Sequence, residues 1–154
     1  MKPNLSIESM KEEDLAAVQE LAEQLGYAVG IEDLSSRLGL LQQSMDHKLL
    51  VARNEADKVL GWVHVGKEMS SLLIGERAEV SALIVDSQTR GQGIGKLLLK
   101  AAESWALDRG YILVRVRSNV KRDEAHRFYI RAGYTLNKTS NLFIKDLNSL
   151  INQT

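Results

Sequence analysis

Val80-Ser81-Ala82-Leu83-Ile84-Val85-Asp86-Ser87-Gln88-Thr89-Arg90-Gly91-Gln92-Gly93-Ile94-Gly95-Lys96 is the most informative stretch of the chain. An apolar strand ending at Val85 runs into a glycine-rich turn that opens at once into an amphipathic helix. Without a Cβ, the glycines let the backbone approach a ligand closely and turn its N–H groups inward. The aligned peptide dipoles of the following helix add about half a positive charge at its start. Together these make an anion site, most simply for a phosphate or pyrophosphate, with Arg90 and Lys96 adding fixed positive charge at either end. The glycines stand at 91, 93 and 95, which is not the dinucleotide spacing. Gly95-Lys96 is followed by Leu97 rather than the serine or threonine a P-loop needs for magnesium.

Outward from this stretch, periodicity gives the remaining elements. Leu5 to Glu8 reads as a short strand. From Glu12 to Leu25, Leu15, Val18, Leu21, Ala22 and Leu25 recur on one helical face, and Gly26 is placed to end the helix. Leu34, Leu38 and Leu41 indicate a second helix between Ile31 and Gln43. Leu49 to Arg53 and Val59 to Val65 read as a hairpin about the polar turn Asn54 to Lys58, and Ala78 to Val85 as the next strand. The helix after the glycines runs to about Asp108 on Ile94, Leu97, Leu98, Ala101, Ala102 and Trp105, closed by Gly110. Tyr111 to Arg117 is a strand, Asp123 to Ala132 a helix ended by Gly133, and Tyr134 to Leu147 a final strand pair. The order predicts an α/β sheet with both antiparallel and parallel pairs.

Composition narrows the function. The 154 residues fit one domain, and 44% of them are apolar, enough for a continuous core. Lysine plus arginine equals aspartate plus glutamate at 20 each, so no nucleic-acid partner held by bulk electrostatics is expected. With no cysteine, a disulfide framework and thiolate-rich zinc sites are out of reach. His47, His64 and His126 are scattered without an i, i+4 pair, so no metal is expected. No apolar run approaches the roughly 20 residues of a membrane span, and Met1 to Met10 has no apolar signal core. No membrane partner and a cytoplasmic location are therefore expected.

Arg90-Gly91-Gln92-Gly93-Ile94-Gly95 resembles the R/Q-x-x-G-x-G/A acyl-CoA signature of the GNAT acetyltransferase family, and Leu83-Ile84-Val85 resembles that family's central strand. The resemblance follows the element order over nearly the whole chain and is strongest from Glu79 to Tyr134. It implies the GNAT acyl-CoA N-acyltransferase fold as a single domain over 1–154, a central mixed, twisted sheet of about seven strands flanked by about four helices. It also implies an acetyl-CoA-dependent N-acetyltransferase working in a ternary complex on an unidentified primary amine, with no metal. The alternative is a catalytically silent acyl-CoA-binding module. On the resemblance, backbone groups of Leu83, Ile84 and Val85 hold the pantetheine arm and supply an oxyanion donor. Arg90, Gly91, Gln92, Gly93, Ile94, Gly95 and Lys96 hold the pyrophosphate, and Asn119 bonds the pantetheine or the catalytic region.

The chemistry asks for a base and an acid. An alkylammonium, with a pKa of about 10.4, has no lone pair until it loses a proton, and the departing thiolate benefits from a donated one. Glu124-Ala125-His126-Arg127-Phe128-Tyr129-Ile130-Arg131-Ala132-Gly133-Tyr134 resembles the family segment whose tyrosine faces the CoA sulfur, which makes Tyr129 the acid. Ser81 stands where many members carry a carboxylate. Glu79 lies two residues earlier, so strand alternation puts it on the same face as Ser81 and Leu83, and it is the expected base, through a water shared with Ser81. Glu76 is a weaker candidate, and an exposed, salt-bridged glutamate is the bland alternative for both. Arg115, Arg117, Lys121 and Arg122 cluster around Asn119, facing either CoA phosphates, an acidic substrate or simply solvent. A homodimer through the C-terminal strands is compatible with all of this.

Overall fold

A computed structural model describes residues 4–68, 77–117, 123–137 and 141–151. The chain forms two compact units, Met1–Arg117 and Ser118–Thr154. In the first, a five-stranded sheet runs β1 (Ser6–Ser9), β2 (His47–Arg53), β3 (Val59–Glu68), β4 (Arg77–Val85) and β5 (Val114–Val116) in spatial order. The first three pairings are antiparallel and β4–β5 is parallel, the mixture that the element order implies. Helices α1 (Leu15–Gln24), α2 (Ile31–Gln43) and α3 (Ile94–Asp108) belong to this unit; α4 (Asp123–Arg131) and α5 (Asn148–Ile151) belong to the second.

Each face of the sheet is covered by different helices. Leu49, Val51, Trp62 and Ile84 join Leu15, Val18, Leu21, Leu34 and Leu38 in one core beneath α1 and α2. On the opposite face Val63, Val65, Ala78 and Val80 are buried, and α3 packs there against β3 and β4. α3 turns Ile94, Leu98, Leu99, Ala102 and Ala106 inward. Leu97, expected on that face, is 42% exposed, because the inward stripe follows i, i+4 steps from Ile94 and leaves Leu97 at its margin.

Two sequence expectations change. Tyr111 to Arg117 contracts to Val114–Val116, which pairs with β4 only at Ala78, Val80 and the residue between them. The final strand pair is not formed among the described residues: 134–137 and 141–147 belong to no strand, and α5 follows. Leu142-Phe143-Ile144 is an apolar run without the alternation that commits a strand to one face, and no described strand of that unit offers it a ladder. Among the described residues the sheet counts five strands.

His64 of β3 gives the fold a pH dependence. Burial, then the neighbouring His47, lowers its pKa from 6.5 to about 4. Above about pH 6.5 both folded and unfolded chains hold this imidazole neutral. As the pH falls toward 4, only the unfolded chain takes up the proton and stability drops. After allowance for partial exposure the loss is roughly 1–2 kcal/mol. Urea midpoints measured from pH 7 to 4.5 are expected to show this decline in the wild type and to lose that component in His64→Leu. An equal slope in both proteins would remove His64 as its source.

Candidate active site

β4 and the loop after it are built by pairing that stops early. β4 is paired with β3 from Arg77 to Val85 except at Ser81, whereas β5 leaves it after Val80, opposite Val116. From Ser81 to Val85 no strand among the described residues lies on that second edge, so its N–H and C=O groups are offered outward. This is the segment, Leu83, Ile84 and Val85, that the sequence assigns to the pantetheine arm.

Asp86 and Gln24 hold the turn that follows. The Asp86 carboxylate accepts the Gln88 N–H at 3.1 Å and the Gln24 amide at 3.4 Å. Its carbonyl accepts the Thr89 N–H at 3.0 Å and the Thr89 hydroxyl at 3.2 Å. The Gln24 side-chain oxygen Oε1 accepts the Ser87 N–H at 2.9 Å, so the last residue of α1 fixes the loop. Neither residue stands out in the sequence beyond the turn signal at Asp86-Ser87.

Gly91 and Gly93 both adopt φ 82°, and Gly93 is the N-cap of α3. A side chain would meet nothing within 4 Å at either position, so what requires glycine there is the left-handed backbone, not space. No side chain caps α3 and its first turn carries no acidic residue; its first internal bond is Leu97 N–H to the Gly93 carbonyl at 3.1 Å. The N–H groups of Ile94, Gly95 and Lys96 therefore remain available, with Arg90 and Lys96 exposed beside them. The donor set suits a pyrophosphate.

The expected base lies in different surroundings from those predicted. Between His64↔Ala82 and Val65↔Val80 the register shifts, leaving Ser81 unpaired in a bulge. A bulge inverts the alternation. Glu79 pairs with Gly66 and faces the α1/α2 side, while Leu83 pairs with Val63 on the α3 side, so Glu79 and Leu83 do not share a face. The Glu79 carboxylate lies 3.2 Å from Arg117 Nε and 3.7 Å from Arg115 Nη2, and Arg115 also binds Glu68 at 2.7 Å. Arg115 and Arg117 thus serve glutamates of the sheet. Asn119, Glu76, Lys121 and Arg122 lie outside the described residues.

In the second unit, α4 ends in paired closing bonds, Gly133 N–H to the Ile130 carbonyl at 3.1 Å and Tyr134 N–H to the Tyr129 carbonyl at 2.9 Å. Tyr129 meets Phe128 and Tyr134 edge-on, with ring centroids 5.1 and 5.9 Å apart. Burial raises its pKa above the ordinary 10.0, so the phenol keeps its proton at neutral pH. Among the described residues no group of three or more acidic or histidine side chains is arranged to hold a metal, and no helix is long and apolar enough to cross a membrane.

The profile of the acetyltransferase (GNAT) domain matches residues 45–136. The chain belongs to the GNAT acetyltransferase family. An aminoalkylphosphonate N-acetyltransferase of Salmonella typhimurium is 34% identical over 95 residues, 62% of this chain and 60% of that protein. The chain spans 60% and 44% of the lengths of the curated relatives it matches. Among solved structures, an aminoglycoside acetyltransferase from an uncultured soil metagenomic sample, in complex with trehalose, is 26% identical with TM-score 0.76, covering 94% of this chain and 97% of that one. An aminoglycoside N-acetyltransferase in complex with CoA shares the fold at TM-score 0.83, with 13% identity over 94% of this GNAT chain and 97% of the other.

Proposed function

We propose that this GNAT chain is an acetyl-CoA-dependent N-acetyltransferase, 1–154 acting as one domain, that moves the acetyl group directly onto a primary amine in a ternary complex. The observation that carries this is the β4 edge left open from Ser81 to Val85 and leading straight into the uncapped start of α3. That is one continuous track for an extended arm followed by a pyrophosphate. Leu83, Ile84 and Val85 bind the arm and offer the oxyanion donor; Arg90, Gly91, Gln92, Gly93, Ile94, Gly95 and Lys96 bind the pyrophosphate, with Asn119 assigned to the arm. Tyr129 is the acid that protonates the departing thiolate. The acceptor gives up its proton toward the polar row of the sheet in which Glu79, the base the sequence suggests, stands. With no cysteine in the chain, direct attack needs no covalent acyl-enzyme. The exposed run Leu142-Phe143-Ile144 supports a homodimer as the assembly.

The test is release of free CoA from acetyl-CoA across an amine panel: aminoalkylphosphonates, prompted by the Salmonella relative, then alkylamines, aminoglycosides and peptides. Turnover with one class establishes the activity and names the acceptor. The silent acyl-CoA-binding module gains support from Ser81 and from the two guanidiniums on Glu79; acetyl-CoA binding without acetylation of any panel member would favour it. Absence of acetyl-CoA binding would overturn both.

The loop makes its own prediction. Alanine at position 93 has to hold a left-handed backbone at a cost of about 1–2 kcal/mol, so Gly93→Ala is expected to weaken CoA binding roughly 5- to 30-fold by calorimetry. Asparagine tolerates this conformation better, and Gly93→Asn is expected to lie between alanine and wild type. Full affinity in Gly93→Val would show that the loop does not hold the ligand.

A further inference from the structure

On the α1/α2 face the apolar core ends at the row Leu49, His64, Ala82, and the next row is polar. His47, Gly66, Glu79 and Arg115 stand side by side across β2, β3, β4 and β5. Charged groups on this face of the sheet include Glu68 of β3, Arg77 of β4, Arg117 just beyond β5 and, farther along, Arg53 of β2 and Glu8 of β1, and the helix layer above the adjoining rows contributes Leu34 and Leu38. The carboxylate of the row, Glu79, and the neighbouring Glu68 are engaged by guanidiniums. Among the described residues the imidazoles are engaged only with each other. His47 Nδ1 lies 3.0 Å from His64 Nε2, with the rings 5.1 Å apart and tilted by 47°. A Cβ on Gly66 would collide with the His47 ring, so the missing side chain gives that ring its room over β3, in the row that leads to Glu79. His64 stands opposite Ala82, the residue after the Ser81 bulge, where the β4 edge opens.

A hydrogen-bonded imidazole pair can take one extra proton, and burial decides where it rests. Burial, then the neighbouring His47, holds His64 toward its neutral form. With the pair singly protonated, the Nδ1–H of His47 donates to the neutral His64 Nε2 across the 3.0 Å contact while Nε2 of His47 carries the new hydrogen. We propose that His47 takes the proton from the attacking amine and that His64 is its positioning partner, Glu79 being held by its arginines as a neighbouring negative charge. The proposal rests on the N-acetyltransferase function above. The substrate ammonium passes one proton to Nε2 of His47 and exposes its lone pair. Nitrogen then bonds to the acetyl carbon, the C–S bond breaks with its electron pair on sulfur, and sulfur takes the Tyr129 proton. The second proton released by nitrogen restores Tyr129 through solvent, and His47 discharges its own to solvent.

The experiment is a set of pH–rate profiles on the whole protein, with calorimetric acetyl-CoA binding beside them. Wild-type kcat/KM is expected to fall on the acid side through one ionisation. His47→Gln should lose at least about tenfold in kcat and lose that ionisation, with acetyl-CoA affinity held within about twofold. His64→Leu should slow turnover and displace the ionisation, and His64→Gln, which keeps an acceptor, should restore part of the rate. Unchanged rate and profile in His47→Gln, or the ionisation vanishing in Glu79→Gln instead, would overturn the proposal while leaving the acetyltransferase function standing. No turnover by the wild type would sink that function and the proposal with it. Imidazole 15N spectra add a readout that needs no turnover: His47 should become doubly protonated before His64 as the pH falls, and the reverse order overturns the assignment.

Discussion

Tyr129→Phe is expected to lower acetyl transfer at least about tenfold, and by as much as roughly 10²–10⁴-fold if proton donation to the thiolate limits the rate. The change removes one oxygen and leaves the ring, so the edge contacts with Phe128 and Tyr134 persist and the protein should stay folded. Acetyl-CoA binding is expected to be unaltered, because the hydroxyl acts only as charge develops on sulfur. The direction of the phenol's pKa adds a second signature. Burial raises it above 10.0, so the acid form persists through the mildly alkaline range and Tyr129 causes no loss of rate until the pH passes that value. Stopped-flow and steady-state assays of CoA release from pH 7 to 10 check both. A variant as fast as the wild type would remove Tyr129 from the chemistry. A variant that loses acetyl-CoA affinity would make the hydroxyl a binding group.

Where the structure follows the sequence, local signals and tertiary packing agree. The order from β1 through α4 is the order periodicity gives, since each element shows its face through a repeat of 3.6 or 2. The loop was legible for the same reason: Gly91 and Gly93 have no other employment than φ 82°. The face of Glu79 was not legible. Alternation assigns faces only in an unbroken ladder, and nothing in Val80-Ser81-Ala82 announces that Ser81 is left unpaired. The C-terminal strands, not formed among the described residues, were illegible for a related reason: a strand needs a partner as well as apolar residues, and pattern alone supplies no partner for Leu142-Phe143-Ile144.

The histidines show a pattern that was present but encoded across strands. His47 and His64 are far apart along the chain, and a search for i, i+4 pairs passes over them. The hairpin about Asn54–Lys58 sets the register that pairs His47 with Gly66 and His64 with Leu49, making the two rings diagonal neighbours. The turn that fixes this register is well built: Asn54 N–H donates to the Lys58 carbonyl at 3.0 Å, and Lys58 N–H donates to the Asn54 side chain at 2.9 Å. A sequence search across predicted hairpin register, and not along helices alone, would have found the pair.

Arg53→Met is expected to destabilise the folded state by about 3 kcal/mol, the largest stability effect of a single substitution proposed for this chain. Arg53, at the end of β2, donates to Asp14 Oδ1 and Glu8 Oε2 at 2.8 Å each and lies 3.5 Å from the Asp57 carboxylate. The Asp14 side chain is 4% exposed, and its other oxygen accepts the Lys11 N–H at 2.9 Å across the short 3-10 turn that leads into α1. The hydrogen bond to Asp14, then that to Glu8, raises the pKa of the guanidinium, which marks Asp14 as its main partner. Glu8 and Asp57 reach solvent and lose little when the arginine goes; Asp14 is left as a buried charge without a counterion. The same logic predicts compensation. In Arg53→Met/Asp14→Leu the stranded charge disappears, and much of the lost stability should return, short of roughly 1 kcal/mol for the Lys11 N–H left without its acceptor. Urea unfolding of the two variants decides the matter: equal losses in single and double variants would show that Arg53 stabilises through its packed stem alone, while recovery in the double variant places the energy in the buried pair that ties α1 to the sheet.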